Sequence, residues 1–275
     1  MSNDMYTISN CLCKAIITGP EHSGTTILSK LINSHSKIKS GFECGIFLGN
    51  LNNFNVKPFS DWLMSDEWFF GLPKNYQIEI RNMNYKQVLE YLGKNKGSYF
   101  KESYEQSLIK NAEYYVDKTP RYIYNFKDIY EKIPFKIPIF IIFKCSKELY
   151  YSKMIKRHNV SKKSFIHHII RFIKSLKYIN SLNSDNIYVI QYTDFVNKID
   201  KYSDYIMKKI NIDNEILSLD TFNKIDKNSK MLYSNYNKKK KDKKIFTNND
   251  LMFIKQYSHI LNIYDGLINK LKIKI

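Results

Sequence analysis

The run Lys14-Ala15-Ile16-Ile17-Thr18 stops at Gly19, and apolar residues return after the turn at Ile27, Leu28, Leu31 and Ile32. A short β-branched run reads as a buried strand, and spacings of three and four read as one face of a helix over Thr25 to Ser34. The chain therefore opens as strand, glycine turn, helix. Tyr114-Tyr115-Val116-Asp117 predicts a second strand, after which Pro120 suits the first turn of a helix from Arg121 to Lys132 with Thr119 as its cap. Ile137 to Lys144 is a near-continuous apolar run, the pattern of a central parallel strand covered on both faces. Helices are expected over Lys147 to His158 and Lys162 to Leu182, then a strand over Asn186 to Tyr192 and a helix over Asp194 to Ile210. A final amphipathic helix is expected over Asn249 to Leu261. Residues 50–95 are aromatic-rich, hold Pro58 and Pro73, and read as short helices and loops over a cleft.

Strands alternating with helices argue for a three-layer α/β domain with a mainly parallel central sheet. No internal repeat or boundary divides the chain, so one domain over residues 1–275 is expected, and 43% apolar residues suffice for one sizeable core. The formal charge of +18 points to acidic partners: phosphates, sulfates, nucleic acid or an anionic membrane surface. A chain crowded with Lys, Asn, Ile and Tyr also follows from AT-rich coding bias, so charge by itself does not choose. The lysine run within 237–246 has no apolar period and reads as a solvated basic loop. Cys11, Cys13, Cys44 and Cys145 lack metal-ligand spacing, and reduced thiols in a cytoplasmic protein are expected. Met1-Ser2-Asn3-Asp4 does not open a signal-peptide pattern, and the longest apolar run, Ile137 to Phe143, is too short to span a membrane.

The candidate chemistry begins in the first turn. A strand that ends in glycines and opens into a helix aims backbone N–H groups at one spot, reinforced by the positive end of the helix dipole. Gly19 and Gly24 have the spacing of the G-x-x-x-x-G-K-[ST] phosphate loop, and Thr26 fits its last position. Thr25 stands where the lysine belongs. Without that lysine nothing in the motif reaches β- and γ-phosphates, so the loop favours a nucleotide whose 5′ end is not a triphosphate.

Gly19-Pro20-Glu21-His22-Ser23-Gly24-Thr25-Thr26, followed by Ser34-His35-Ser36, resembles the 5′-phosphosulfate loop and succeeding helix of the sulfotransferase family. That family's loop has arginine or lysine where this chain has His22. Three further matches follow in order. Asp117-Lys118-Thr119-Pro120 is similar to an element of protein-tyrosine and carbohydrate sulfotransferases whose lysine contacts the sulfonate or the bridging oxygen. Lys144 and Ser152, eight residues apart, keep the spacing of the family's 3′-phosphate motif, with Lys156 at a further basic position. Lysine in place of the family's arginine gives a point charge without the bidentate fork. Val189-Ile190-Gln191-Tyr192-Thr193-Asp194-Phe195 resembles the strand and following aromatic-acidic element, in which Tyr192 either bonds the donor or packs.

The resemblance implies a P-loop-like sulfotransferase using 3′-phosphoadenylyl sulfate (PAPS) as donor, releasing adenosine 3′,5′-bisphosphate (PAP), and requiring no metal. Gly19, His22, Ser23, Gly24, Thr25 and Thr26 would hold the 5′-phosphosulfate, and Lys144, Ser152, Lys156 and Tyr192 the 3′ side. Lys118 and His22 would stabilise developing charge. Glu43, twenty-one residues after His22, matches the spacing of the family's base and would take the acceptor's hydroxyl proton. His35 is expected to be structural, and His167 and His168 to face solvent. Residues 50–110 carry no family motif and are expected to cover the acceptor, a carbohydrate or similar polar molecule. Two other readings stay open: a kinase-like nucleotide-binding enzyme, and a basic module without catalysis that binds nucleic acid or anionic lipid through Lys162 to Lys177 and the lysine run.

Overall fold

The computed structural model describes residues 13–40, 114–133, 137–156, 161–213, 215 and 246–273. Strand β1 (Cys13–Thr18) runs through the glycine turn into α1 (Thr25–Asn33), and the chain returns to a short edge strand, β2 (Ile38–Ser40). Strand β3 (Tyr114–Lys118) leads into a 3-10 turn (Pro120–Asn125) and α2 (Phe126–Lys132). Strand β4 (Ile139–Phe143) precedes α3 (Ser146–Tyr150) and a π-helical turn (Tyr151–Lys156). The long α4 (Lys162–Ser181), β5 (Ile187–Gln191), α5 (Tyr192–Asn197), α6 (Ile199–Ile210), α7 (Asn248–Gln256) and α8 (Ser258–Leu271) complete the described chain.

The five strands form one sheet in the order β2-β3-β1-β4-β5, every pairing parallel. Side chains alternate across it as the two-residue strand period requires. Ala15, Ile17, Val116, Phe140, Ile142 and Ile190 pack with α1, α5 and α6 on one face. Ile16, Ile139, Ile141, Phe143 and Val189 pack with the 3-10 turn, α3, α4 and α8 on the other. This is the expected three-layer arrangement, and all five residues of β4 are buried. Among the described residues, no helix is long and apolar enough to cross a membrane.

Several boundaries differ from the sequence reading for local reasons. Thr119 does not cap a helix: its hydroxyl turns back to Asp117 Oδ1 at 2.8 Å, and Pro120 opens a 3-10 turn before α2. The helix expected over Lys147 to His158 is a single α turn that widens into the π turn, a form that recurs at functional sites. Tyr192 starts a helix instead of ending a strand, and the expected helix from Asp194 is broken at Lys198 into α5 and α6. The last helix begins at a capping box in which Thr247 and Asp250 exchange hydrogen bonds. It breaks at Tyr257, and α8 then runs to Leu271 on a stripe of Leu261, Tyr264 and Ile268. Edge strand β2 carries one buried apolar residue, Ile38, too little pattern to be seen in sequence.

The order of the strands creates a crevice. The chain leaves β1 toward α1 on one face and leaves its neighbours β3 and β4 toward the other. Where adjacent strands send their connections to opposite faces, a cleft opens at their carboxyl ends, and ligands of open parallel sheets bind there. The glycine turn, Lys118, Lys144 and Tyr192 follow or end β1, β3, β4 and β5 at that edge.

Candidate functional site

The glycine turn is shaped by close approaches that admit no side chain. A Cβ on Gly19 (φ +144°) would lie 2.2 Å from the Ile142 carbonyl oxygen, and one on Gly24 (φ +113°) would lie 2.5 Å from the Tyr192 ring. His22 also takes the left-handed conformation, at φ 67°. Ser23 is fully buried. Its hydroxyl donates to Ile142 O at 2.7 Å and its N–H donates to Pro20 O at 2.9 Å. Ser23 therefore helps to build the turn. The first intrahelical bond of α1 runs from Leu28 N–H to Gly24 O, so the amides of Thr25 and Thr26 precede the helical ladder at its positive end. The Thr25 side chain is buried and the Thr26 side chain is exposed.

Lys118 ends β3 beside this turn, in register with Ile17, and is 2% exposed. The turn that follows it is locked. Buried Asp117 accepts from Thr119 Oγ1 at 2.8 Å and from the Tyr122 hydroxyl at 2.6 Å, and Thr119 N–H donates to Ile17 O at 2.9 Å. Thr18 Oγ1 donates across to Pro120 O at 3.1 Å. The backbone on either side of Lys118 is thereby fixed.

At the end of β4, Lys144 Nζ donates to Ser152 Oγ at 3.0 Å. The same ammonium lies 4.4 Å above the Tyr192 ring centroid, whose edge faces Gly24. Tyr192 is 6% exposed and packs in the core on the α1 side. Its ring thus forms a wall between the glycine turn and the Lys144–Ser152 pair.

Residues unremarkable in the sequence hold that pair. Tyr264 donates its hydroxyl to Lys144 O at 3.0 Å. Asp265 accepts from Ser146 N–H at 2.7 Å and from Ser146 Oγ at 2.6 Å, capping α3 from α8. Burial pushes the Asp265 carboxyl up and the neighbouring Cys145 thiol up to about 12, with Glu148 adding to the latter. Thr193 donates to both oxygens of Glu148, at 2.8 and 3.1 Å, joining α5 to α3. None of these contacts has a local sequence signal, because each partner lies 45 or more residues away.

Glu43 lies outside the described residues, as do the side chain of Lys156 and residues 50–110. His35 is structural: Nε2 donates to Asp213 O at 2.8 Å while Nδ1 accepts from Lys37 N–H at 3.1 Å. His167 is exposed as expected, but His168 is not a solvent-facing residue. It is half-buried, stands edge-on to Tyr124 at 5.1 Å, and its buried Nδ1 makes no hydrogen bond. It sits there because Tyr124 and Phe172 close around that side of α4. Among the described residues, no cluster of three or more His, Cys, Asp or Glu could hold a metal ion.

The all-parallel sheet and its helical flanks make this an α/β domain whose fold is similar to that of solved sulfotransferase domains. The sulfotransferase domain of the Synechococcus PCC 7002 olefin synthase superposes with a TM-score of 0.52 at 14% identity, covering 74% of each chain. The sulfotransferase domain of the curacin biosynthetic pathway, at TM-score 0.46 and 15% identity over 74% of this chain and 75% of that one, is more distant. No protein-family model matches the sequence, and no curated protein matches it.

Proposed function

We propose that the chain transfers a sulfonate group from 3′-phosphoadenylyl sulfate to an acceptor hydroxyl. The observation that carries this reading is the presence of a glycine turn and a lysine–serine pair on one sheet edge. A glycine turn without the triphosphate-gripping lysine stands on one side of the Tyr192 ring, and the Lys144–Ser152 pair stands on the other. A nucleotide carrying acidic groups at both its 5′ and 3′ positions suits two such sites. Glycine at 19 and 24 lets the turn pack against Ile142 O and the Tyr192 ring, which sets its amides at the start of α1.

The amides of Gly24, Thr25 and Thr26 and the Thr26 hydroxyl hold the 5′ side. Lys144 and Ser152 hold the 3′-phosphate, with Tyr192 as a packed wall, and Lys156 adds charge. Lys118 neutralises the negative charge that builds on the leaving phosphate oxygen as the S–O bond breaks, and His22 assists from the turn. Glu43 accepts the proton of the attacking hydroxyl. Fixing donor and acceptor in line supplies most of the acceleration. The acceptor is a carbohydrate or a similar polar molecule, and the setting is cytoplasmic.

The test is a thermal shift with adenosine 3′,5′-bisphosphate. A ligand that binds the folded state raises the midpoint in proportion to the logarithm of its excess over Kd. A rise for the wild type that is absent from Lys144→Ala supports the assignment. No rise for the wild type at millimolar ligand sinks it.

A further inference from the structure

One buried charge near the site has no part in the scheme above. Lys153 is 1% exposed, and its ammonium makes no hydrogen bond. Its counter-charge is the carboxylate of Glu21, with Oε2 at 3.8 Å, close enough for attraction and too far for a hydrogen bond. The Phe172 ring lies 5.7 Å away on α4, and burial pulls the Lys153 pKa down while Glu21 opposes the fall. Removing an ammonium from water without hydrogen-bond compensation is costly, so the contact with Glu21 is what such an arrangement has to show for it.

Glu21 is the residue between Pro20 and His22, at the crown of the glycine turn, and is 34% exposed. Its other oxygen meets Arg121 at 3.5 Å, on the turn that follows Lys118. Lys153 stands next to Ser152 on the π-helical turn, where successive side chains diverge: Ser152 meets Lys144 and Lys153 meets Glu21. One turn of chain therefore touches both anion sites. His22, directly after Glu21, is in the left-handed region, a conformation that a non-glycine residue keeps only where its surroundings impose it.

We propose that Lys153 is a positioning residue for the donor, acting through Glu21 to hold the Pro20-Glu21-His22 turn in the conformation that aims its amides at the 5′-phosphosulfate. The inference rests on the donor reading above. The buried ammonium draws the Glu21 carboxylate inward, Arg121 holds it laterally, and the turn cannot relax at His22 while both attractions persist. Lys153 does not touch the donor in this scheme. It acts on the 5′ side alone, which separates it from a residue that merely stabilises the fold.

The experiment is calorimetric titration of the full-length chain with adenosine 3′,5′-bisphosphate, adenosine 5′-phosphosulfate and adenosine 3′-phosphate. Wild type, Glu21→Gln, Lys153→Met and the double variant are compared. Expected are losses of about tenfold or more in affinity for the two ligands with a 5′ group, an unchanged affinity for adenosine 3′-phosphate, and a double variant no weaker than the worse single one. Glu21→Gln carries the test should the buried Lys153→Met chain fail to fold, and Glu21→Asp should recover part of the loss. Wild-type affinity in Glu21→Gln, or equal losses for all three ligands, overturns the positioning role while leaving the donor reading intact. A wild type that binds none of the three overturns both.

Discussion

The Lys144 ammonium and the Ser152 hydroxyl meet at 3.0 Å although the whole of α3 lies between them in the chain. They converge because Tyr264 holds the Lys144 carbonyl from α8 while Asp265 caps α3. Lys144→Ala should abolish the thermal shift produced by adenosine 3′,5′-bisphosphate, and Ser152→Ala should reduce it by the value of one hydrogen bond to a charged group, about 1.5–3 kcal/mol in binding. Wild-type affinity in either variant, measured by calorimetry, would remove that residue from the 3′ site.

Gly24→Ala should impair both stability and ligand binding. Its Cβ would enter the Tyr192 ring at 2.5 Å and its φ of +113° disfavours any L side chain. A loss of about 1–3 kcal/mol in unfolding free energy is expected from the strain. Pairing it with Tyr192→Ala should relieve the clash but leave the strain at φ, so urea titration of the pair should recover only part of the loss.

Asp265→Ala should cost about 1–3 kcal/mol, because it strips the acceptor from the Ser146 amide and hydroxyl at the start of α3. Asp265→Asn retains an acceptor and should cost well under half as much. Denaturant unfolding of the two variants distinguishes them; equal losses would show that the charge, not the cap, matters.

His168 confers a pH dependence of known sign. Burial first, and the Lys153 ammonium second, pull its imidazole from 6.5 to about 4. Between those values the unfolded chain binds the additional proton, so this contribution is intact above pH 6.5 and is lost as the pH falls toward 4. The full shift corresponds to about 3 kcal/mol, which partial exposure screens to about 1–2 kcal/mol. His168→Phe keeps a ring beside Tyr124 and removes the proton. Its stability should fall less steeply than the wild type's between pH 6.5 and 4, and identical slopes would contradict the assignment.

The Cys145 thiol, held near a pKa of 12 by burial and Glu148, should stay protonated at pH 8. Alkylation by iodoacetamide at Cys145, followed by peptide mass spectrometry on the native chain, should be at least tenfold slower than in the denatured chain. A native rate matching the denatured one would show the thiolate to be accessible.

What the sequence by itself determined about this protein is local in origin. The apolar run of β4, the glycine turn after β1 and the stripe on α1 announced a parallel sheet with a glycine turn between its first strand and helix, because each signal is complete within about ten residues. The eight-residue spacing of Lys144 and Ser152 was also legible. What only the tertiary structure decided depends on partners distant in the chain. The buried setting of Ser23 has no local signal, because the acceptor of its hydroxyl, Ile142 O, lies 119 residues away. Thr119 does not cap through its side chain, because the buried Asp117 carboxylate takes its hydroxyl. The strand order that opens the crevice, the Asp265 cap on α3 and the Glu21–Lys153 contact follow from which elements pack together. No periodicity encodes them: a side chain's surroundings in the core are set by the whole fold, and its own neighbours in sequence say little about them.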